Sequence, residues 1–352
     1  MTVWRLVHLN FGSNPTHFGE VGIGMEKTSE RVRSDTLFSA WISVYARLFG
    51  KDAVEELLNQ FQNHDNPPFR VSSTYIYQQK ENDTIYYLPR PFAMPKGYPR
   101  GEDLAFAKTY KKLNYLPLSV WKRWYQQDGM TSTDCEELTA YTNGEKRNWE
   151  LEQLGTFDYS EAYQSSLIPK VAIDRITTAS NFYQTGFTKF KTNAGLYFLV
   201  DFATENQTLE RELLASLWLL GEEGLGGERS SGAGRFTPDW SNLSTDWETL
   251  INFKNHNHYS LLSLYWQKSI SKEELMTDTT SYQVQPRGGW VSSPLSGQQA
   301  LRKKVRMFSE GSVFPILPKG ELADVTPPDF TLHKIYRNGL SVSLPIQLEQ
   351  ES

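Results

Sequence analysis

Val3, Arg5, Val7 and Leu9 alternate with Trp4, Leu6 and His8, so both faces of the segment 3–10 are mostly apolar. That pattern predicts a strand in the middle of a sheet. A glycine-bearing loop, 12–24, follows and contains His17-Phe18-Gly19. Helical spacing begins at Ser34, which suits an N-cap. Leu37, Trp41, Val44, Tyr45 and Leu48 share one face, and Gly50 is a natural stop. Residues 51–62 read as a second helix, ended by Asn66-Pro67-Pro68. Aromatic and β-branched residues predict a strand over 69–78. The prolines at 89, 91, 95 and 99 make 85–101 an irregular loop. The polar stretch 129–150, with its Asn143-Gly144 turn signal, reads as an exposed insertion. Residues 170–178 alternate as one arm of a hairpin, and 196–203 form a strand run. Leu209, Leu213, Leu214, Leu217 and Leu220 then mark a helix over 207–220, with Gly221 as its stop.

Beyond residue 250 the pattern changes to short strand candidates at 259–266, 289–292, 301–308 and 340–348. The order strand, helix, strands, helix, strand in the first part suits a ferredoxin-like unit with a large insertion. The expectation is an α+β chain with two such (RRM-like) domains: 1–248, carrying the insertion, and 249–352, a more degenerate copy. No repeat of solenoid type is visible.

The chain has 352 residues, 39 % hydrophobic and 22 % charged, enough to bury a core without disulfides or metal. One cysteine, Cys135, excludes an internal disulfide framework and a cysteine-rich zinc site. No apolar run approaches ~18 residues, and no basic segment precedes an apolar one at the start, so the reading is no membrane partner and a cytoplasmic location. A net charge of −5 argues against indiscriminate nucleic-acid binding but allows a local basic groove. The 19 Phe, 18 Tyr and 10 Trp suit either cores or the stacking of unpaired bases.

Residues 221–236 carry the most chemistry: six of the chain's 24 glycines, Arg229, Arg235 and the pair Ser230-Ser231. The loop follows a helix C-terminus, the wrong end for holding phosphate through the macrodipole. It lacks the Lys-Ser/Thr ending of a Walker loop and does not open a helix, which also excludes a dinucleotide fingerprint. Anion binding here rests on backbone N–H groups, the serines and the two arginines. The bland alternative is a long helix cap with a bulge.

The run Gly224-Leu225-Gly226-Gly227-Glu228-Arg229-Ser230-Ser231-Gly232-Ala233-Gly234-Arg235-Phe236 resembles the glycine-rich loop of the RAMP superfamily of CRISPR proteins. Further stretches match in order: His17-Phe18-Gly19, Arg33 to Ala40, Leu88-Pro89-Arg90-Pro91, Lys111 to Leu116, Phe308-Ser309-Glu310-Gly311-Ser312 and Ala323 to Phe330. Together they resemble the subunit 4 family of type III-A Csm effector complexes. The resemblance implies a non-catalytic RNA-binding subunit of an antiviral complex. It would clamp the 5′ tag of the guide RNA (crRNA) and meet target RNA indirectly. Its protein partners would be the large polymerase/cyclase-like subunit and the backbone RAMP subunits.

A hairpin "thumb" that distorts the guide–target duplex is also implied, placed at 169–177 with Lys170 and Arg175. The RNA-binding candidates are then Gly224, Gly226, Gly227, Arg229, Ser230, Ser231, Gly232, Gly234 and Arg235 in the loop, with His17, Phe18 and Gly19. Arg31, Arg33 and Ser34 join them at the first helix's N-terminus, where anions are favoured. Phe18 is read either as a base-stacking residue or as core, and Ser34 either as a contact or as the cap. Arg302-Lys303-Lys304-Val305-Arg306 places Arg302, Lys304 and Arg306 on one face of a strand, for phosphates or as a charged edge. The rival function is a RAMP endoribonuclease using His17 on repeat RNA, although no acid–base partner is visible in the sequence. No cofactor and no metal are expected, since His256 and His258 lack completing ligands.

Overall fold

The computed structural model describes residues 3–19, 24–63, 66–81, 83–99, 105–145, 149–174, 176–270, 272–291 and 300–349. Strand β1 (Val3–Asn10) leads through the His17 loop into helix α1 (Ser34–Asn63), which is interrupted at Gly50, where φ is 88°. Gly50 is non-helical (φ 88°, ψ 176°), so the element consists of two helical runs joined at that residue, as the sequence predicts. Strands β2 (Phe69–Val71), β3 (Tyr75–Lys80) and β4 (Asp83–Pro89) follow. The single strand expected over 69–78 is broken because the amides of Ser72, Ser73 and Thr74 turn to Leu199, Leu262 and Val32 carbonyls. The expected proline loop begins only after Pro89, since residues 85–88 pair within the sheet.

An α-helical block comes next: α2 (Ala107–Lys112), the short strand β5 (Tyr115–Pro117), α3 (Leu118–Gln126), α4 (Ser132–Thr142) and α5 (Glu150–Gln153). The reading of 129–150 as an exposed insertion is therefore corrected. Thr131 and Asp134 form a capping box that starts α4, and Leu138 and Leu151 are fully buried. Strands β6 (Tyr163–Ile173) and β7 (Ser180–Phe190) form a long hairpin, then β8 (Ala194–Phe202), α6 (Gln207–Glu223), β9 (Thr237–Asn242) and α7 (Thr245–Ile251). Helix α6 runs through Gly221 and stops at Gly224. Gly221 is needed inside the helix because a Cβ there would stand 2.3 Å from the Phe236 carbonyl oxygen.

The C-terminal part holds β10 (His258–Leu261), β11 (Val284–Arg287), β12 (Val305–Phe308), β13 (Val313–Phe314), β14 (Leu322–Asp324), β15 (Tyr336–Asn338) and β16 (Ser343–Ile346). These strands pair as β13-β10-β16, β11-β12 and β14-β15.

The main sheet is antiparallel, ordered β5-β4-β3-β8-β1-β9 with β2 also on β8. Both faces of its centre are covered, which explains the apolar character of both faces of β1. Val7, Leu9, Phe198 and Val200 pack under α1 and α6 with Leu37, Trp41, Leu213 and Leu217. Leu6, Tyr197 and Leu199 pack on the other side with Trp121, Trp124, Trp247, Leu344 and Ile346. The C-terminal strands and the helical block thus share one core beneath the main sheet. Among the described residues no helix is long and apolar enough to cross a membrane.

Candidate nucleic-acid interface

Three segments distant in sequence meet where α6 ends. The stretch 15–18 runs between the glycine loop and the base of the β6–β7 hairpin. On one side Thr16 pairs with Thr188, its amide donating to the Thr188 carbonyl at 2.7 Å. His17 Nδ1–H donates to the Gly186 carbonyl at 2.7 Å. On the other side the Gly227 and Gly234 amides donate to the carbonyls of His17 and Pro15, both at 2.8 Å. The loop glycines serve this approach. A Cβ on Gly226 would lie 2.5 Å from the His17 carbonyl oxygen, and one on Gly234 would lie 2.1 Å from that of Leu225.

The loop's backbone is consequently used differently from the expectation. The amides of Gly224, Leu225, Gly227, Ser231, Gly232, Ala233 and Gly234 are all bonded within the fold. Among the described residues those of Gly226, Glu228, Arg229, Ser230 and Arg235 have no partner. Glu228 adopts a left-handed conformation (φ 59°, ψ 21°) and opens a short 3-10 turn over 229–231, so three consecutive free amides, 228–230, lie at the turn's start. Left-handed and right-handed residues in succession make an anion-accepting concavity. The side chains of Arg229, Ser230, Ser231 and Arg235 are exposed around it.

Lys170 on β6 forms an ion pair with Glu228, also reaches Ser231, and lies over the Phe187 ring at 5.2 Å. The hairpin and the glycine loop, proposed separately from sequence, are thereby pinned together, and the charge of Lys170 is consumed in doing so. The hairpin itself pairs residue by residue from Tyr163↔Phe190 to Ile173↔Ser180. Opposite residues share a face, so Leu167, Val171, Ile173 and Phe182 line one side. These four are 55–66 % exposed. At the tip Ile176 is 93 % exposed. Asp174 caps the turn: the Ile176 and Thr177 amides donate to its carboxylate and hold its pKa below the usual range. The candidate Arg175 lies outside the described residues.

Four other candidates are turned inward. Phe18 is core, packed edge-on against Phe11 at 6.1 Å, which corrects the base-stacking reading. His17 is only 8 % exposed, and its ring lies against Gly227 and 6.2 Å from Phe187. Among the described residues no carboxylate bonds to it, so they supply no acid–base partner for the endoribonuclease reading. Gly19 beside it is exposed. Ser34 is fully buried and does not cap α1. Its hydroxyl accepts the Leu264 amide at 3.0 Å instead, and its own amide donates to Ser73.

Arg31, 7 % exposed, donates Nη1 and Nη2 to Glu310 at 3.1 and 3.2 Å and Nε to Tyr115 at 2.6 Å. Arg33 also binds Glu310, as does the Ser73 hydroxyl. Although burial opposes its ionisation, the two arginines hold the Glu310 carboxyl far below the usual range, and the Arg31 pKa is raised well above its ordinary value. Sequence reasoning singled out the stretch 308–312 but gave Glu310 no role. Its signal was a lone carboxylate between apolar Met307-Phe308 and Gly311. Among the described residues no group of three metal-binding side chains occurs.

Residues 254–346 match the model of the CRISPR Csm4 C-terminal domain. The whole chain is 24 % identical over 376 residues to the CRISPR system Cms protein Csm4 of Methanocaldococcus jannaschii, covering 96 % of each. With the protein of that name from Thermococcus onnurineus it is 25 % identical over 331 residues, covering 90 % of this chain and 92 % of the other. The C-terminal part of the chain thus matches the Csm4 C-terminal domain, and the chain as a whole is similar to proteins named Csm4. Among solved structures, a chain of the Csm3–Csm4 subcomplex in the type III-A CRISPR-Cas interference complex has a TM-score of 0.63 at 20 % identity, covering 98 % of this chain and 100 % of that one. A chain of the Csm1–Csm4 cassette in complex with cA4 has 0.56 at 17 %, covering 100 % of both. These likenesses establish a shared mixed α/β fold with antiparallel sheets.

Proposed function

We propose that the chain is a non-catalytic RNA-holding subunit of a type III CRISPR effector complex that grips the 5′ tag of the guide RNA. The observation that carries this is the pair of exposed arginines, Arg229 and Arg235, beside three consecutive unpartnered amides at 228–230. Phosphates of a single strand take both kinds of donor, the guanidinium as a fork and the amides as a nest. The exposed apolar side of the β6–β7 hairpin, rooted in the same loop through Lys170 and Glu228, suits a wedge that disturbs the guide–target duplex nearby. Arg31, Phe18 and Ser34 drop out of the contact set because the fold has already used them.

The order β9-β1-β8-β3, joined by α1 and α6, is the antiparallel arrangement of a ferredoxin-like unit, with the helical block and hairpin inserted. It supports the division at 1–248 and 249–352, the second part being the degenerate copy. The large polymerase/cyclase-like subunit and the backbone RAMP subunits are the proposed protein partners, in keeping with the Csm1–Csm4 and Csm3–Csm4 assemblies of the structural neighbours.

The test is binding of tag-bearing single-stranded RNA as a function of salt. Each neutralised phosphate contributes about −0.7 to the salt slope of a single strand. Replacing Arg229 and Arg235 together by Ala is expected to weaken binding at least tenfold and to remove roughly 1.4 from the slope. Unchanged affinity and slope in that variant overturn the reading.

A further inference from the structure

Buried charge does not balance at the start of α1. Asp35 is fully buried and takes Nε and Nη2 of Arg287, each at 2.9 Å, together with Nη1 of Arg337. Arg302 stands half-buried beside the same group. The charges that act on it are Arg337, which opposes its cation, and Asp35, which favours it. With burial as the largest cause, its pKa lies below the ordinary value. Three guanidinium groups, none of which deprotonates in a protein, thus share one carboxylate. The Nε atoms of Arg302 and Arg337 are buried and meet no acceptor among the described residues. The adjoining sequence 292–299, Ser-Ser-Pro-Leu-Ser-Gly-Gln-Gln, contains no acidic residue that would complete the pairing. Folded proteins rarely leave a buried cation uncompensated.

The surface beside this cluster has a matching character. The strand expected over 301–308 begins only at Val305. Arg302 therefore leaves the row it was expected to share with Lys304 and Arg306, while Lys303, Lys304 and Arg306 remain exposed. The Arg302 amide bonds the Gly289 carbonyl at 3.0 Å, and neighbouring Trp290, 52 % exposed, bridges to Leu301. The methylenes of Lys304 pass close to Gly288, where a Cβ would stand 3.3 Å from its Cγ. An exposed indole interleaved with cations favours a single-stranded nucleic acid over an acidic peptide, because bases stack where carboxylates do not.

We propose that Arg302, assisted by Lys304, binds a phosphate of an RNA backbone, with Trp290 presenting its ring to an adjacent base. The site is built from residues between β11 and β12, none of which belongs to the glycine loop, and does not require that loop to hold the tag.

The experiment uses the full chain, a labelled single-stranded RNA decamer, inorganic phosphate and a polyglutamate peptide. Arg302→Met is expected to weaken RNA binding about tenfold at low salt and to remove roughly 0.7 from the salt slope. The same variant should raise the melting temperature of the free chain, because an unmatched buried charge is gone. Lys304→Met, an exposed change that leaves the fold intact, should weaken RNA binding severalfold. All these effects should persist in an Arg229→Ala/Arg235→Ala background.

Unchanged RNA affinity in both Arg302→Met and Lys304→Met overturns the proposal. So does a lowered melting temperature with unchanged affinity, which would make Arg302 structural. Arg302-dependent binding of polyglutamate or of free phosphate without Arg302-dependent binding of RNA also overturns it. Affinity lost only in the loop variants would leave the tag reading standing and this one refuted. Affinity lost only in the Arg302 and Lys304 variants would do the reverse.

Discussion

The start of α1 and the loop after α6 each carry two arginines that look alike in the chain. Arg31 and Arg33 meet at Glu310, in a pocket closed by Ser73 and Tyr115. Arg229 and Arg235 stand in solvent, with no hydrogen-bonded acceptor among the described residues. The first pair joins the N-terminal helix to a C-terminal strand end 279 residues away. In the second pair Arg229 feels only the Glu223 carboxylate, which Arg47 already binds as a fork, and Arg235 has no ion-pair acceptor among the described residues. A cation already neutralised inside a protein holds the fold together, and one left unpaired at a glycine loop is available to a ligand.

The sharpest way to break this contrast is to remove the shared carboxylate. Glu310→Ala leaves two guanidinium groups facing each other in a closed space and should cost about 3–5 kcal/mol in denaturant unfolding. If the loss stays below about 1 kcal/mol, the contrast fails. The same centre sets a limit in acid. Glu310 is ionised in the fold below its ordinary range, so its stabilisation is complete above about pH 5 and disappears as the pH falls through the lower folded value.

Next in size is the loop double variant, Arg229→Ala with Arg235→Ala. It should reduce RNA affinity at least tenfold while moving unfolding stability by no more than ~0.5 kcal/mol, the usual effect of exposed changes.

Asp201 is a third case, a buried acid matched only loosely. Arg70 stands 3.5 Å away, and desolvation outweighs it, raising the Asp201 pKa to about 6. Because the folded value lies above the unfolded one, stability falls as pH rises from about 4 to about 6. Asp201→Asn should flatten this part of the profile. Compared with wild type it should gain about 3 kcal/mol well above pH 6 and nothing at pH 4. Thermal unfolding across that range reads the difference directly, and parallel profiles would refute it.

The smallest effect concerns the pin between hairpin and loop. Lys170→Met should cost about 1 kcal/mol or less in stability but should speed amide exchange in the 224–234 loop. Unaltered exchange would mean that the ion pair does not hold the loop.

Much of this architecture is legible in the chain because it rests on local periodicity. The two apolar faces of β1, the Leu37–Trp41–Val44 stripe and the Leu-rich stripe of α6 each predict their element and their burial. Alternation signals a hairpin near 170–178, but that stretch holds the end of β6 and the turn rather than a whole arm, because the strands run over 163–173 and 180–190. What escaped depends on partners far away or on single residues. Thr131 and Asp134 start α4 in a stretch whose polar composition suggested a loop. Gly221 resembles a helix stop until the Phe236 carbonyl explains it. Glu310 and Asp35 are ordinary carboxylates in the sequence, and only the fold brings arginines to them from opposite ends of the chain. The loop glycines suggest openings for a ligand, whereas Gly226 first makes room for the chain's own His17 and Phe18, and Gly234 for Leu225 across the loop.

The outward row of Leu167, Val171, Ile173 and Phe182, with Ile176 beyond it, gives the molecule a greasy two-stranded edge left exposed. Such ribbons adhere to one another when concentrated. Produced alone, this polypeptide should therefore self-associate and precipitate more readily than its net charge of −5 suggests. Polar replacements along that row should restore solubility without touching the core.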